Sequence, residues 1–362
     1  MNPRDAIGTS TSDRPAKPVR SPLGAPSPAN GPAILPPPPR WLAILGRYTH
    51  PSFLRHLAGL LLRRYLLRQP VIIVERKAGM GDVLFTIPAC LELRKTGPVH
   101  LVYLSSNHLL PMLRRSGAAD RVMSADYRQG LLAVIRPSRF ILFKTPDDGD
   151  QGIHGHLIEF FLAQAGASGS APFNVTLGEG ITPDKPERKP YVVIHTGPTW
   201  PVREWPHESW VRLTEMLAGE GLEVIQIGDR NPAAESSDGS GPIQGATVRI
   251  GQLDTVGLMD LLRGTELFIG IDSGPLYLAA ALDRPTVGLF GPVNPSYRLF
   301  GTKSVGCFAE VECRFCHHEP QRLHWKSGCP HQIRCMTALS PEQVFATVMT
   351  RLRHPNGTKL AQ

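Results

Sequence analysis

Apolar and polar positions along this chain follow two periods in turn. Short apolar runs, suited to strands buried on both faces, fall at residues 71–74, 100–104, 139–143, 191–195, 222–227, 247–250, 267–269 and 286–290. Between them, apolar residues recur at helical spacing at 83–95, 107–116, 154–166, 207–220, 255–263, 276–282 and 340–353. Strand–helix alternation of this kind predicts parallel sheets covered by helices. The alternation starts twice. Between the two runs lies DKPERK, at residues 184–189 and flanked by prolines, which reads as a linker. The expectation is two doubly wound α/β domains, 70–182 and 190–354, facing a cleft.

The chain before residue 70 has another character. Residues 1–40 hold eleven of the 35 prolines along with much Ser, Gly and Ala, which predicts a disordered arm. In the segment 41–69, helical spacing puts Leu54, Leu57, Ala58, Leu61 and Tyr65 on one face, with Arg55, His56 and Arg63 elsewhere. A basic amphipathic helix of this type either lies on an anionic membrane surface or docks on its own domain. Charge sharpens the contrast. Residues 1–70 carry ten Lys/Arg and two acids, leaving 29 basic and 29 acidic residues of the 39 and 31 for the rest. The neutral body argues against a nucleic-acid partner, so any attraction to anionic surfaces belongs to the arm. No apolar run approaches the ~20 residues that span a bilayer, and no signal-peptide pattern opens the chain. Together these predict a cytoplasmic protein, with peripheral contact at the inner face of the membrane if the amphipathic segment binds lipid.

Two glycine-containing loops follow apolar strands. In the stretch 268–291, Gly270 and Gly274 bracket Asp272-Ser273 ahead of a short apolar helix, with Pro275 in its first turn. Such a loop sits at the carboxyl end of its strand, where open α/β sheets bind ligands, and free amides at a helix start suit phosphate. Asp272 or Ser273 acting only as a helix cap is the plainer reading. Earlier, Gly79-Met80-Gly81-Asp82 follows the 71–74 strand, but Leu84 stands where a dinucleotide fingerprint needs its third glycine, and Ser105-Ser106 ends the next strand with no ribose-binding acid. The fingerprint fails. What remains is a carboxylate, Asp82, beside a turn at a strand end, whose plainer role is helix N-cap. Pro88 falls late for that helix's first turn, so the helix starts later or kinks. Five of the six cysteines lie at 307–335, as Cys313-x2-Cys316-x12-Cys329-x5-Cys335 plus Cys307. In a cytoplasmic chain this spacing predicts a structural site for zinc or another thiophilic metal, with free thiols as the alternative.

Three stretches, GMGDVLFTIPACLELRK (79–95), YVVIHTGPTWPVREWPHESWVRL (191–213) and LLRGTELFIGIDSGPLYLAAALDRPTVGLFGP (261–292), together resemble glycosyltransferase family 9, the ADP-heptose:lipopolysaccharide heptosyltransferases. The resemblance implies a GT-B fold of two Rossmann-like domains, an inverting mechanism without a catalytic cofactor, a nucleotide-sugar donor such as ADP-heptose, and a lipid A-core-type acceptor. Asp82 matches the family's proposed general base. Arg203 matches a Lys/Arg thought to bind the donor diphosphate, with Thr196 or Thr199 as a further contact. Asp272, Ser273 and Gly274 match the donor loop. Three residues beyond Gly274, where the family usually has His, this chain has Tyr277. The other readings are a family member using another sugar or a protein acceptor, an epimerase of similar fold, and a non-catalytic binding or assembly protein with a degenerate site.

Overall fold

The computed structural model describes residues 48–145, 155–169, 173, 175–177, 189–197, 201–229, 241–318 and 328–355. The 1–40 arm, residues 41–47 and most of the 183–190 linker lie outside them.

The first half opens with helix α1 (Pro51–Leu61), which continues into a wider π-helical turn, Leu62–Leu66. Then come β1 (Val71–Glu75), α2 (Met80–Phe85), α3 (Ile87–Lys95), β2 (His100–Ser105), α4 (Leu110–Arg115), β3 (Arg121–Ser124), α5 (Arg128–Ile135), β4 (Arg139–Leu142) and α6 (Leu157–Ala165). Its sheet has the order β3-β2-β1-β4 and is parallel throughout, with Ile73 of β1 opposite Val102 of β2 and Phe140 of β4. The second half comprises β5 (Tyr191–His195), α7 (His207–Gly219), β6 (Glu223–Ile227), β7 (Thr247–Val248), α8 (Thr255–Gly264), β8 (Leu267–Ile271), α9 (Gly274–Ala281), β9 (Thr286–Leu289), β10 (Ser304–Cys307), α10 (Arg334–Thr337) and α11 (Pro341–Arg353). Its sheet runs β10-β9-β8-β5-β6-β7, again parallel. Two open parallel sheets, covered by helices and meeting at a cleft, make this the expected GT-B fold.

Every residue of β1, β2 and β8 is buried, as near-continuous apolar runs predict for parallel strands. One apolar cluster runs from Ile72 and Val74 through Phe85 and Tyr103 to Phe268, Tyr277 and Phe300, and so belongs to both halves. Helix α9 packs directly on α2. Two glycines make room for that contact. A Cβ on Gly81 would meet the Tyr277 ring at 2.9 Å, and one on Gly274 would meet Met80 Cβ at 3.0 Å. The freedom expected of Gly270 and Gly274 is therefore not one of dihedral angle, since neither has positive φ. It is one of space, and at Gly270 the neighbour is the Phe268 ring, 2.8 Å from an added Cβ.

Other expectations change in detail. Helix α1 docks through Phe53 and Leu60, with Leu57 and Leu61 half-buried, on Val71, Ile73, Val102 and Leu104. The predicted face is split, because Leu54 and Tyr65 are exposed. The helix near Asp82 breaks at Thr86, and Pro88 lies in the first turn of a second helix, α3. Thr86 Oγ1 donates to the carbonyl of Val83 at 2.7 Å and accepts from Tyr103 Oη–H at 2.5 Å. Strands β3 and β10 and helix α5 were not foreseen. Helix α11, with Ser340 as its N-cap, packs on α7 and on β8 and β9 of its own half.

Candidate functional site

In an open parallel sheet, the crevice for a ligand opens where successive connections leave to opposite sides. The second sheet has this switch between β5 and β8, and the first has it between β1 and β4. Loops from both switch points line one cleft of about 1190 Å³.

From the first half comes Asp82, in the first turn of α2. It is not the N-cap, because the helix opens at Gly79 with no side-chain cap. Its carboxylate, one-third exposed, instead faces Arg76 across 3.5 Å. Arg76 is anchored by donating to the carbonyl of Phe143 at 3.0 Å and to Thr145 Oγ1 at 3.1 Å. Burial raises the Asp82 pKa above the ordinary aspartate value, against the opposing charges of Arg76, Arg298 and Arg203. A carboxylate with a raised pKa, open to a cleft, is suited to accept a proton near neutral pH.

From the second half come the ends of β5 and β8. Asp272 is buried and organises its loop. Tyr277 Oη donates to Asp272 Oδ1, Arg203 Nη1 donates to the Asp272 carbonyl at 3.0 Å, and the same guanidinium lies 3.4 Å from Asp272 Oδ2. Arg203 thus pairs with Asp272. Burial and the Asp272 charge push the Tyr277 phenol well above its usual range, so it stays a neutral donor. Its ring lies 4.7 Å from that of Phe85 of the first half. Ser273 does not cap α9 with its side chain. Its hydroxyl shares a hydrogen with His195 Nδ1 at 3.0 Å. His195 is held neutral by burial, with a pKa of about 4. The first amides of α9 therefore have no side-chain cap, and Gly197, Ser273 and Gly274 line the cleft beside them.

Of the residues expected here, Asp82, Arg203, Asp272, Ser273, Gly274 and Tyr277 all line the cleft. Thr196 is buried beneath it and accepts a bond from Gln226 Nε2 at 3.1 Å, while its neighbours His195 and Gly197 face the opening. Thr199 lies outside the described residues. His156 is buried. Its Nδ1 accepts from the amide of Ile158, and Nε2–H donates across the halves to the carbonyl of Leu299 at 3.0 Å. Arg76, Phe85, Arg298 and His317 also line or support the cleft and were missed. Arg76, at the end of a buried strand, carried a weak signal. Arg298 sits in no recognisable pattern, and His317, beside Cys316, pointed to the cysteine cluster and not to the cleft.

The four cysteines gather beside the end of β9. Cys335 is buried against Gly291, where a Cβ would stand 2.8 Å from its sulfur. Burial, then the neighbouring Cys313, Cys316 and Cys329, push its thiol up to about 12. The surrounding backbone holds Phe315, Gln332 and Ile333 at positive φ, which is costly for a β-branched residue such as Ile333. The donor set is thiophilic and collected, but among the described residues no three His, Cys, Asp or Glu side chains are placed to hold a metal ion as they stand.

Residues 167–326 match glycosyltransferase family 9 (heptosyltransferase), the family that the three stretches resemble. The chain is 29% identical over 178 residues to lipopolysaccharide heptosyltransferase 1 of Pseudomonas aeruginosa, covering 46% of this chain and 49% of that protein. It thus spans about half the length of that relative. It is 25% identical over 299 residues to the autotransporter heptosyltransferase Aah of Escherichia coli, covering 78% of this chain and 74% of Aah. Among solved structures, the iron-containing dodecameric glycosyltransferase TibC from enterotoxigenic E. coli H10407 superposes with a TM-score of 0.65 at 20% identity, covering 79% of this chain and 77% of TibC. TibC in complex with ADP-D-β-D-heptose scores 0.62.

Proposed function

From the family 9 match and the geometry of the cleft, we propose that this chain is an inverting glycosyltransferase that moves a heptose from ADP-heptose to a lipid A-core-type acceptor. The observation that carries this reading is the convergence of Asp82 of one half with Arg203, Asp272 and the uncapped start of α9 of the other on a single cleft. Asp82 takes the proton from the acceptor hydroxyl. The acceptor oxygen bonds to the anomeric carbon as the bond from that carbon to the β-phosphate oxygen breaks, and the electron pair leaves on ADP. Arg203 and the amides of α9 meet the charge that develops on the diphosphate. Asp272 aims Arg203 and Tyr277, so its effect on the phosphates is indirect.

Protein is the second candidate for the acceptor, because the alignment with autotransporter heptosyltransferase Aah covers more of both chains than that with the lipopolysaccharide enzyme. The four cysteines would hold one structural zinc or iron, drawing the sulfurs together and compensating for the strained turns at Phe315 and Ile333. The α1 surface would meet anionic lipid through exposed Leu54, Leu62, Tyr65, Leu66 and Leu67, with Arg55, Arg63, Arg64 and Arg68 beside them. No helix among the described residues is long and apolar enough to cross a membrane, so such contact would be peripheral.

ADP release from ADP-heptose, measured with lipid A-core and autotransporter acceptors, tests the assignment. Arg203→Ala should weaken ADP binding and slow transfer together. Asp272→Ala should harm transfer more than ADP binding. Unchanged ADP affinity in Arg203→Ala, with affinity lost in Asp82→Asn, would put the donor on the other half and overturn this reading.

A further inference from the structure

Arg298 follows the 3₁₀ turn Pro295–Tyr297, beyond the carboxyl end of β9. It is 7% exposed. Of its five N–H donors, Nη1 is used on the adjacent carbonyl of Tyr297 at 3.2 Å, and among the described residues it makes no ion pair. A guanidinium withdrawn from water without a counter-charge is costly, and buried charges in folded proteins are normally paired. Arg298 nevertheless lines the cleft with Asp82, Ser273 and Tyr277, and its charge reaches both Asp82 and Tyr277.

Its backbone is fixed from both halves. The Leu299 amide donates to the Pro295 carbonyl at 2.8 Å, His156 Nε2 reaches the Leu299 carbonyl at 3.0 Å, and the Gly301 amide donates to the Phe173 carbonyl at 3.2 Å. The backbone that carries the guanidinium is therefore fixed before any ligand arrives, and preorganisation of this kind makes a charged group effective toward developing charge. Arg203 is differently placed, because part of its charge already answers Asp272. A diphosphate leaving group carries more negative charge than that remainder offsets.

We propose that Arg298 is a second anion-binding side chain of this cleft, receiving an anionic oxygen of a substrate between Asp82 and the donor loop. The inference rests on the transferase reading. The oxygen belongs either to the β-phosphate of the donor or to an acidic group of the acceptor.

Calorimetric titration of wild type, Arg298→Gln and Arg298→Lys with ADP and with AMP, alongside transfer kinetics from ADP-heptose to a lipid A-core acceptor, separates the two sources. Among the described residues, the only hydrogen bond that the Arg298 side chain makes is to the preceding carbonyl, so both variants should melt with the wild type. If the oxygen is the β-phosphate, Arg298→Gln weakens ADP binding about ten- to a hundredfold while AMP binding holds within about threefold. If it belongs to the acceptor, ADP affinity and donor KM hold while acceptor KM rises about tenfold or more. In either case Arg298→Lys recovers part of the loss. ADP affinity and both KM values within about twofold of wild type in Arg298→Gln would overturn the inference and leave the transferase reading standing. A wild type that does not bind ADP would overturn both.

Discussion

Gly81→Ala tests whether the close approach of the two halves sets the geometry of the cleft. Gly81 lies in α2 with negative φ, so an alanine meets no backbone strain there. Its Cβ would stand 2.9 Å from Tyr277 Cδ2 and 3.6 Å from Gly274 Cα. Carbon atoms rest at about 3.5–4.0 Å, so the ring must yield by roughly 0.6 Å. It has little freedom to do so, being 3% exposed, bonded to Asp272 and packed against Phe85. Over-packing of this kind costs about 1–3 kcal/mol, and the gain in helix propensity from glycine to alanine offsets about 1 kcal/mol of it. Gly59, inside α1 with nothing within 4 Å of an added Cβ, provides the control, since only the propensity gain applies there. Urea denaturation should show Gly59→Ala stabilised by up to about 1 kcal/mol and Gly81→Ala destabilised by up to about 2 kcal/mol. Because the displaced segment carries Asp82, turnover of Gly81→Ala should fall about tenfold or more. A Gly81→Ala protein as stable as Gly59→Ala, with wild-type turnover, would refute the reasoning.

Asp82→Asn should lower turnover by roughly two to four orders of magnitude while leaving ADP affinity intact in a direct binding measurement. The rate should fall as pH drops through a pKa above the ordinary aspartate value, and Arg76→Gln should move that limb further up, since Arg76 opposes the rise. The sign for stability is the reverse of a salt-bridged acid. Asp82 favours folding only when protonated, below its unfolded pKa, and costs stability as pH rises through the raised value, so Asp82→Asn should melt at or above wild type at neutral pH. Elemental analysis of protein made under reducing, metal-replete conditions should find about one thiophilic metal per chain, lost with stability in Cys313→Ser or Cys329→Ser; no stoichiometric metal would mean free thiols. Leu66→Ser with Leu67→Ser should weaken flotation with anionic vesicles without lowering the melting temperature, the two side chains being 73% and 60% exposed; equal flotation with neutral vesicles would argue against electrostatic docking.

The parallel sheets were legible because strands buried on both faces leave nearly unbroken apolar runs, as in VIIV and LFIGI. Strand β3 left no such run: it is four residues long, opens on an exposed Arg121 and ends on a half-buried serine. The α1 face was misread because Phe53 and Leu60, rather than Leu54 and Tyr65, meet the sheet, a choice set by packing that helical periodicity alone cannot rank. In the cleft, Asp82 and Asp272 were legible through their position at strand ends, and Arg203 only through the family resemblance. Their partners were not. Arg76 to Asp82 and Tyr277 to Asp272 are close in sequence but span a strand-to-helix turn, whose geometry residue types alone do not give, and His156 to Leu299 joins distant segments that no local pattern pairs.

The apolar cluster shared by both sheets has a mechanical consequence. Swinging the halves far apart would bring the faces of Phe85, Tyr277 and Phe300 into water, a penalty proportional to the area exposed. The seam therefore behaves less like a free hinge than like an interior layer, and heating should melt the two lobes in a single cooperative event, seen as one calorimetric peak instead of two. Spent nucleotide would then leave through the open side of the cleft, by loop movement, while the seam stays shut.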